Sequence, residues 1–237
     1  LLEQGKLDFV GMGRTFLADP EWANKAKEGR EEDIRKCISC LYCFETVFEG
    51  NLQCAVNARL GREIEFGELQ KDGEGRTVAV IGAGPAGMES ARILAMRGFK
   101  PVIFEKTGEI GGQLLLANKP PYKEQINWLI DYQKTQLEKL KVQIRLNTEA
   151  TVEELKKLDP YAVIVATGAS PAIPPIEGSD RDNVYSPGEI LTGQAELEGK
   201  RVIVVGSGMT GLETAQFLAE KGNYVSVYEM LDEIGPG

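Results

Sequence analysis

Residues 78–105 of this chain recur at residues 202–229 without gaps, and eleven of the 28 positions are identical. Each copy opens on a run rich in β-branched residues ("VAVI", "VIVV"). It passes through Gly-x-Gly-x-x-Gly into a stretch rich in Ala and Leu, then closes on a second run that ends in Glu. A continuous β-branched run before a Gly-rich turn reads as a central parallel strand, and the Ala- and Leu-rich stretch after the turn as the helix of a βαβ unit. Two copies imply two α/β domains in tandem, each built on a parallel sheet.

The glycine spacing carries chemistry. Gly82, Gly84 and Gly87 stand between strand and helix in the first copy, and Gly206, Gly208 and Gly211 in the second. The first of each trio permits a tight turn, the second lets the backbone approach a pyrophosphate, and the third lets the helix lie close on the strand. Phosphates then meet the free N–H groups and the positive end of the helix. Glu105 and Glu229 each come 23 positions after their first glycine, placed to accept hydrogen bonds from an adenosine ribose. One Gly-rich turn alone is as often a packing device. Strand, spacing, helix and acid agree here twice, which points to dinucleotide binding. No Arg comes after Glu229 in "YEMLDE", and a carboxylate there repels a 2′-phosphate, which favours NADH over NADPH.

All four cysteines fall within 18 residues, spaced C-x2-C-x2-C-x10-C: Cys37, Cys40, Cys43 and Cys54. Three thiolates on one loop and a fourth from a nearby segment suit a [4Fe-4S] cluster. A four-cysteine zinc site is the alternative, although such sites usually pair two separated C-x2-C hooks. Unligated buried thiols are a third reading, which the polar neighbours Ser39, Tyr42 and Glu45 disfavour.

Composition bounds the rest. The chain has no histidine, so no Ser-His-Asp triad and no His-ligated metal can be built from it. A net charge of −9 argues against nucleic acid or an anionic membrane as partner. No apolar run approaches the roughly 18–20 residues of a membrane span. Clustered thiols fit a reducing cytoplasm better than a secreted disulfide framework. The chain starts at Leu1, without Met, and a fragment is expected.

Along the chain, "LLEQGK" reads as the end of a helix and "DFVGM" as a short buried strand, with Asp19-Pro20 marking a turn or helix start. "GELQKDGEGR" reads as a linker, "QINWLIDYQKTQLEKL" as a long amphipathic helix, and "YAVIVATG" as another buried strand ended by Thr167-Gly168. Pro-rich "SPAIPPIEG" reads as an extended crossover. Gly13 and Arg14, after the first strand, look like the phosphate loop closing a (β/α)8 barrel, or simply a strand–turn–helix with an exposed Arg.

Taken in order, "DFVGMGRTFLADPEW", "CISCLYC", "VAVIGAGPAGMESA", "GEIGGQLLLA", "VIVATGASP" and "VIVVGSGMTGLETA" resemble the iron–sulfur flavoenzymes of the old yellow enzyme superfamily. This is the group of 2,4-dienoyl-CoA reductase, enoate reductase and trimethylamine dehydrogenase. The resemblance covers nearly the whole chain. It implies the end of an FMN-binding barrel (residues 1–30), an iron–sulfur segment (31–67), an incomplete FAD-binding domain (68–185) and the first part of an NAD(H)-binding domain (186–237). The two dinucleotide domains would be Rossmann-like, of the FAD/NAD-linked reductase type.

The resemblance also implies electron flow from NADH to FAD, to the cluster, to FMN, and on to an enoate- or enone-type C=C substrate. It assigns Gly13 and Arg14 to FMN and the four cysteines to the cluster. FAD would be lined by Gly82, Gly84, Ala86, Gly87, Glu105, Lys106, Gly112, Gln113, Thr167 and Gly168. Gly206, Gly208, Gly211 and Glu229 would face NADH. Many relatives carry one more residue between the second and third cysteines. No catalytic residue is expected in this chain, because the pocket and proton donor would lie in the barrel. Other parts of the same full-length enzyme, or a second copy of the chain, are the implied partners. An amine dehydrogenase of the same superfamily and a non-catalytic electron-transfer module are the competing readings.

Overall fold

The computed structural model describes residues 4–235. The chain divides into two compact units, Leu1–Ile110 with Asn127–Ala166, and Gly111–Ile126 with Thr167–Gly237. These units are drawn differently from the four sequence segments: the second begins at Thr167 and also takes in Gly111–Ile126.

The first unit starts with short helices α1 (Arg14–Ala18), α2 (Trp22–Lys27), α3 (Tyr42–Phe48) and α4 (Glu63–Phe66). Its centre is a four-stranded parallel sheet in the order β3-β2-β1-β4, formed by β1 (Thr77–Ile81), β2 (Lys100–Phe104), β3 (Gln143–Arg145) and β4 (Ala162–Val165). Helix α5 (Pro85–Met96) connects β1 to β2. Val80, Ala83, Met88, Ala91 and Ile103 form one buried cluster between sheet and α5, joined by Leu137 from α7 (Ile126–Lys139). Ala79, Val102 and Phe104 form the cluster on the opposite face, covered by Leu155 and Leu158 of α8 (Val152–Leu158). Both faces of β1 and β2 are therefore dry, as their unbroken apolar runs require. Burying a side chain such as Ile103 contributes about 1.5–3 kcal/mol.

Three sequence readings need correction here. "DFVGM" is no strand, and Phe9 is 90% exposed. A parallel strand exists only beside partners that take up its N–H and C=O groups, and among the described residues none pairs with it. "YAVIVATG" does form β4, but as a sheet edge with Val163 and Val165 exposed, not as a buried strand. The 67–76 "linker" lacks regular structure yet is fastened down. Gly73 N donates to Arg97 O at 3.0 Å, Gly75 N donates to Gly98 O at 2.9 Å, and Asp72 pairs with Arg97. The expected helix end at the start of the chain falls partly on Leu1–Glu3, outside the described residues; Gln4–Lys6 form a turn and bend.

The second unit holds α6 (Leu114–Ala117), α9 (Pro187–Leu191), β5 (Arg201–Val205), α10 (Met209–Glu220) and β6 (Tyr224–Tyr228). The Pro-rich stretch before α9 has no regular structure, as its prolines dictate. Ser186 caps α9 with a capping box to Glu189. The sheet has two parallel strands, and α10 covers one of its faces, with Ala215 and Leu218 buried. Ile203 and Val205 point the other way and stay exposed. The second repeat is thus far less enclosed than the first.

Candidate dinucleotide sites and cysteine centre

The two glycine-rich turns are built alike. Gly82 and Gly206 have φ of 102° and 101°, a region closed to side-chain-bearing residues. Their N–H groups donate to the last carbonyl of the neighbouring strand, Phe104 O and Tyr228 O, at 2.8 Å each. Gly84 and Gly208 cap α5 and α10 in extended conformation, with no side-chain cap, so the helix N–H groups stay available. A Cβ on Gly208 would meet nothing within 4 Å, which leaves room for a close ligand. A Cβ on Gly87 would stand 1.9 Å from Gly82 O, and one on Gly211 2.1 Å from Gly206 O. The third glycine is therefore demanded by helix–strand contact, as its spacing predicts.

The acids do more than the sequence indicates. Glu105 is buried and accepts from Ala83 N at 2.8 Å through Oε2, and from Thr107 N and Oγ1 at 2.9 Å each through Oε1. Burial raises its pKa, but these bonds and the nearby Lys106 charge outweigh burial, and it ends below its ordinary value. With three of about four acceptor positions used, Glu105 fastens the turn to β2 and leaves one position over. Lys106, the next residue, and Ala86 are both exposed.

Glu229 repeats the bond to the turn and adds to it. Its Oε2 accepts from Ser207 N at 2.7 Å and Ser207 Oγ at 2.9 Å. Its Oε1 accepts from Met230 N at 2.8 Å and Leu231 N at 3.0 Å. The Ser207 and Leu231 backbone donors and the Ser207 hydroxyl, in that order, pull its pKa down to about 2. Ser207 and Thr107 escaped the sequence reading. The one available signal was that the repeat carries Ala83 in one copy and Ser207 in the other.

In the second unit, Gly111 and Gly112 both have positive φ, and Gln113 Nε2 donates to Ala169 O at 2.6 Å. Gln113 is thereby tied to the segment carrying Thr167 and Gly168, both exposed. Lys123 pairs with Glu213 at 2.6 Å, holding the same excursion to α10. In the first unit, Gly13 precedes α1 and Arg14 is the exposed first residue of that helix.

The cysteine loop is shaped by strain. Ser39 and Leu41 both take left-handed conformations, at φ 57° and 60°, which costs a non-glycine residue about 1–2 kcal/mol. Cys43 stands in the first turn of α3. The buried Thr46 of that helix accepts from Gln53 N at 3.0 Å, and Tyr42 Oη donates to Gln53 Oε1 at 3.1 Å, so α3 is bonded to the residue before Cys54. No cysteine is in a disulfide; Cys40 is exposed and the other three are half-buried. Burial pushes the Cys54 thiol up, the Val56 and Asn57 N–H groups oppose it, and Cys40 lies within electrostatic reach. Among the described residues no three Cys, Asp or Glu side chains converge at metal-ion range. The donor set is all sulfur, the chemistry that a soft, thiolate-held group takes.

Residues 76–237 match the family model described as pyridine nucleotide-disulphide oxidoreductase, which implies FAD and NAD(H) as the dinucleotides of this α/β domain. The chain is 40% identical over 240 residues to an NADH oxidase of Thermoanaerobacter brockii, an alignment spanning 99% of this chain and 37% of that protein. Among solved structures, a 2-naphthoyl-CoA reductase complex aligns at a TM-score of 0.92 with 37% identity, over 98% of this chain and 36% of the other. A 6-hydroxypseudooxynicotine amine oxidase from Pseudomonas geniculata N1 aligns at 0.88 with 30% identity, over 98% and 37%. The chain therefore spans little more than a third of each of these relatives. No helix among the described residues is long and apolar enough to cross a membrane. Twin turns of one build, matched over 162 residues by one family and over nearly the full chain by flavoenzyme relatives, place this chain in the pyridine nucleotide-disulphide oxidoreductase family, within the old yellow enzyme-type flavoenzyme group.

Proposed function

We propose that this chain is the electron-transfer portion of an NADH-dependent flavin oxidoreductase whose full-length form reduces an enoate- or enone-type C=C bond. The observation that carries the reading is the paired construction of the turns: Ala83 N on Glu105 and Ser207 N on Glu229, each holding a glycine-rich turn open at a helix N-terminus. Gly82, Gly84, Gly87 and Glu105 would hold FAD. Gly206, Gly208, Gly211 and Glu229 would hold NADH. Cys37, Cys40, Cys43 and Cys54 would hold an iron–sulfur cluster, with zinc as the competing occupant. When bound, these groups supply hydride donation, hydride acceptance and single-electron transfer. The FMN assignment of Gly13 and Arg14 rests on the family resemblance alone.

This chain's own residues bind and orient. The free N–H groups of α5 and α10 attract pyrophosphate, and Glu229, held ionised by four donors, repels a 2′-phosphate. Both fingerprints being intact favours the reductase over the amine-oxidising alternative, in which the second turn need not exchange nicotinamide. The test is anaerobic addition of NADH to the full-length, FAD-loaded enzyme. Bleaching of the flavin band supports the reading. A flavin that bleaches with dithionite and ignores NADH sinks it and favours amine oxidation or a non-catalytic module.

A further inference from the structure

The cysteine segment is clamped at both ends onto two consecutive carbonyls. Arg35 Nε donates to Ala18 O at 2.8 Å, and Asn57 Nδ2 donates to Leu17 O at 2.9 Å. Arg35 lies two residues before Cys37, and Asn57 three after Cys54. Leu17 and Ala18 are the last residues of α1, so this short helix brings the Arg35 arm and the Cys54 arm side by side.

Arg35 itself is only 9% exposed. Its guanidinium lies over the ring of Tyr132 on α7, 5.7 Å from the centroid, and its backbone N donates to Asp19 Oδ2 at 2.8 Å. Asp19 is paired with Lys25 Nζ at 2.7 Å. Among the described residues no carboxylate lies within salt-bridge range of the Arg35 guanidinium. A buried cation whose partners are one carbonyl and one ring face is costly unless an anion answers it. The segment beside it carries four thiols, the first of them, Cys37, two residues on, and the Arg35 charge acts on Cys54.

Resting on the reading of the four cysteines as cluster ligands, we propose that Arg35 is a positioning residue whose fixed charge, clamped between Ala18 O and the Tyr132 ring, raises the reduction potential of the group those thiolates hold. Adding one electron makes a thiolate-ligated cluster more negative. A desolvated cation beside it stabilises the reduced form more than the oxidised one. The same charge offsets the desolvation of the thiolates.

The test uses the full chain loaded anaerobically with iron and sulfide. Wild type, Arg35→Gln and Arg35→Lys are titrated potentiometrically, monitored by electron paramagnetic resonance. The midpoint of Arg35→Gln falls by about 59 mV or more, equivalent to a tenfold change in a one-electron equilibrium. Arg35→Lys, which keeps the charge, stays near wild type. An unchanged midpoint in Arg35→Gln overturns the inference, as does an equal fall in Arg35→Lys. Retention of iron by Arg35→Lys but not Arg35→Gln supports it. Loss of iron from both, with wild-type circular dichroism, reduces Arg35 to a structural role and overturns it. A wild-type chain that takes zinc and no iron fails at an earlier step: it removes the cluster reading, and this inference with it.

Discussion

Ser207 and Glu229 are joined twice, by the Ser207 backbone N–H at 2.7 Å and its hydroxyl at 2.9 Å, both to Glu229 Oε2. The pair spans the second repeat from the glycine-rich turn to the end of β6. The Ser207 hydroxyl also accepts from Gly235 N at 3.2 Å, so one buried serine gathers the turn, the strand end and the segment after it. The first repeat has Ala83 at this place. It closes the same turn with one backbone bond, and uses Thr107 to occupy the other carboxylate oxygen.

The ion at Glu229 makes the second unit acid-sensitive. Its pKa is lowered from 4.5 to about 2 on folding. A carboxyl depressed in this way stabilises the fold above about pH 4.5, and the contribution is lost as pH falls from there through about 2. Denaturant midpoints measured across this window fall with pH in the wild type, and Glu229→Gln flattens the profile in that range. A variant with the same slope as wild type removes Glu229 as the source.

The glycines separate by role. Gly87→Ala drives a Cβ against Gly82 O and destabilises the first unit by about 1–3 kcal/mol or more. Gly208→Ala finds open space at a φ of −63° and costs at most about 1 kcal/mol as a poorer cap. Its effect is on ligand: the new methyl occupies the approach to a pyrophosphate, and NADH affinity falls about tenfold, the 1.4 kcal/mol scale of one good contact. Chemical denaturation and direct NADH titration read the two effects apart. Gly208→Ala binding NADH normally would show that the second glycine is not at a phosphate.

The two sheets differ in what their strands contribute. Phe104 is 1% exposed between β2 and α8, and Phe104→Ala costs about 3–5 kcal/mol. Ile203, at the same alternating position of a strand but 63% exposed, costs within about 0.5 kcal/mol on mutation to Ser. Equal losses for the two, measured by urea unfolding, would mean that the open face of β5 is covered in solution.

What the sequence made legible is what repeats or alternates. "TVAVI" became β1 over its full length, and "QINWLIDYQKTQLEKL" became α7 with a one-residue trim at each end. Gly87 and Gly211 contact their strands because the spacing already demanded it. The rest was carried by side chains bonding far-off backbone. Asn57 reaches Leu17 across 40 residues, and Arg35 reaches Ala18 across 17, leaving no local pattern to read. "DFVGM" failed for the complementary reason: a strand is a property of a sheet, and a β-rich run without a partner stays irregular.

The last prediction concerns Cys40, the exposed member of the thiol set. It sits between Ser39 and Leu41, both left-handed, so the loop spends backbone strain to hold this position. Little of the fold depends on its sulfur, because the bonds that join α3 to Gln53 come from Tyr42 and Thr46. Cys40→Ser therefore leaves thermal unfolding within about 0.5 kcal/mol of wild type, as for a surface change. Iron content after anaerobic reconstitution, and the broad absorbance near 400 nm that bleaches with dithionite, fall sharply. A serine oxygen is a poorer ligand for a soft iron–sulfur centre than a thiolate. Undiminished iron would exclude Cys40 as a ligand. Stoichiometric zinc in the wild type, with no iron or sulfide, would assign the four thiols to a structural metal and leave the electron path without its centre.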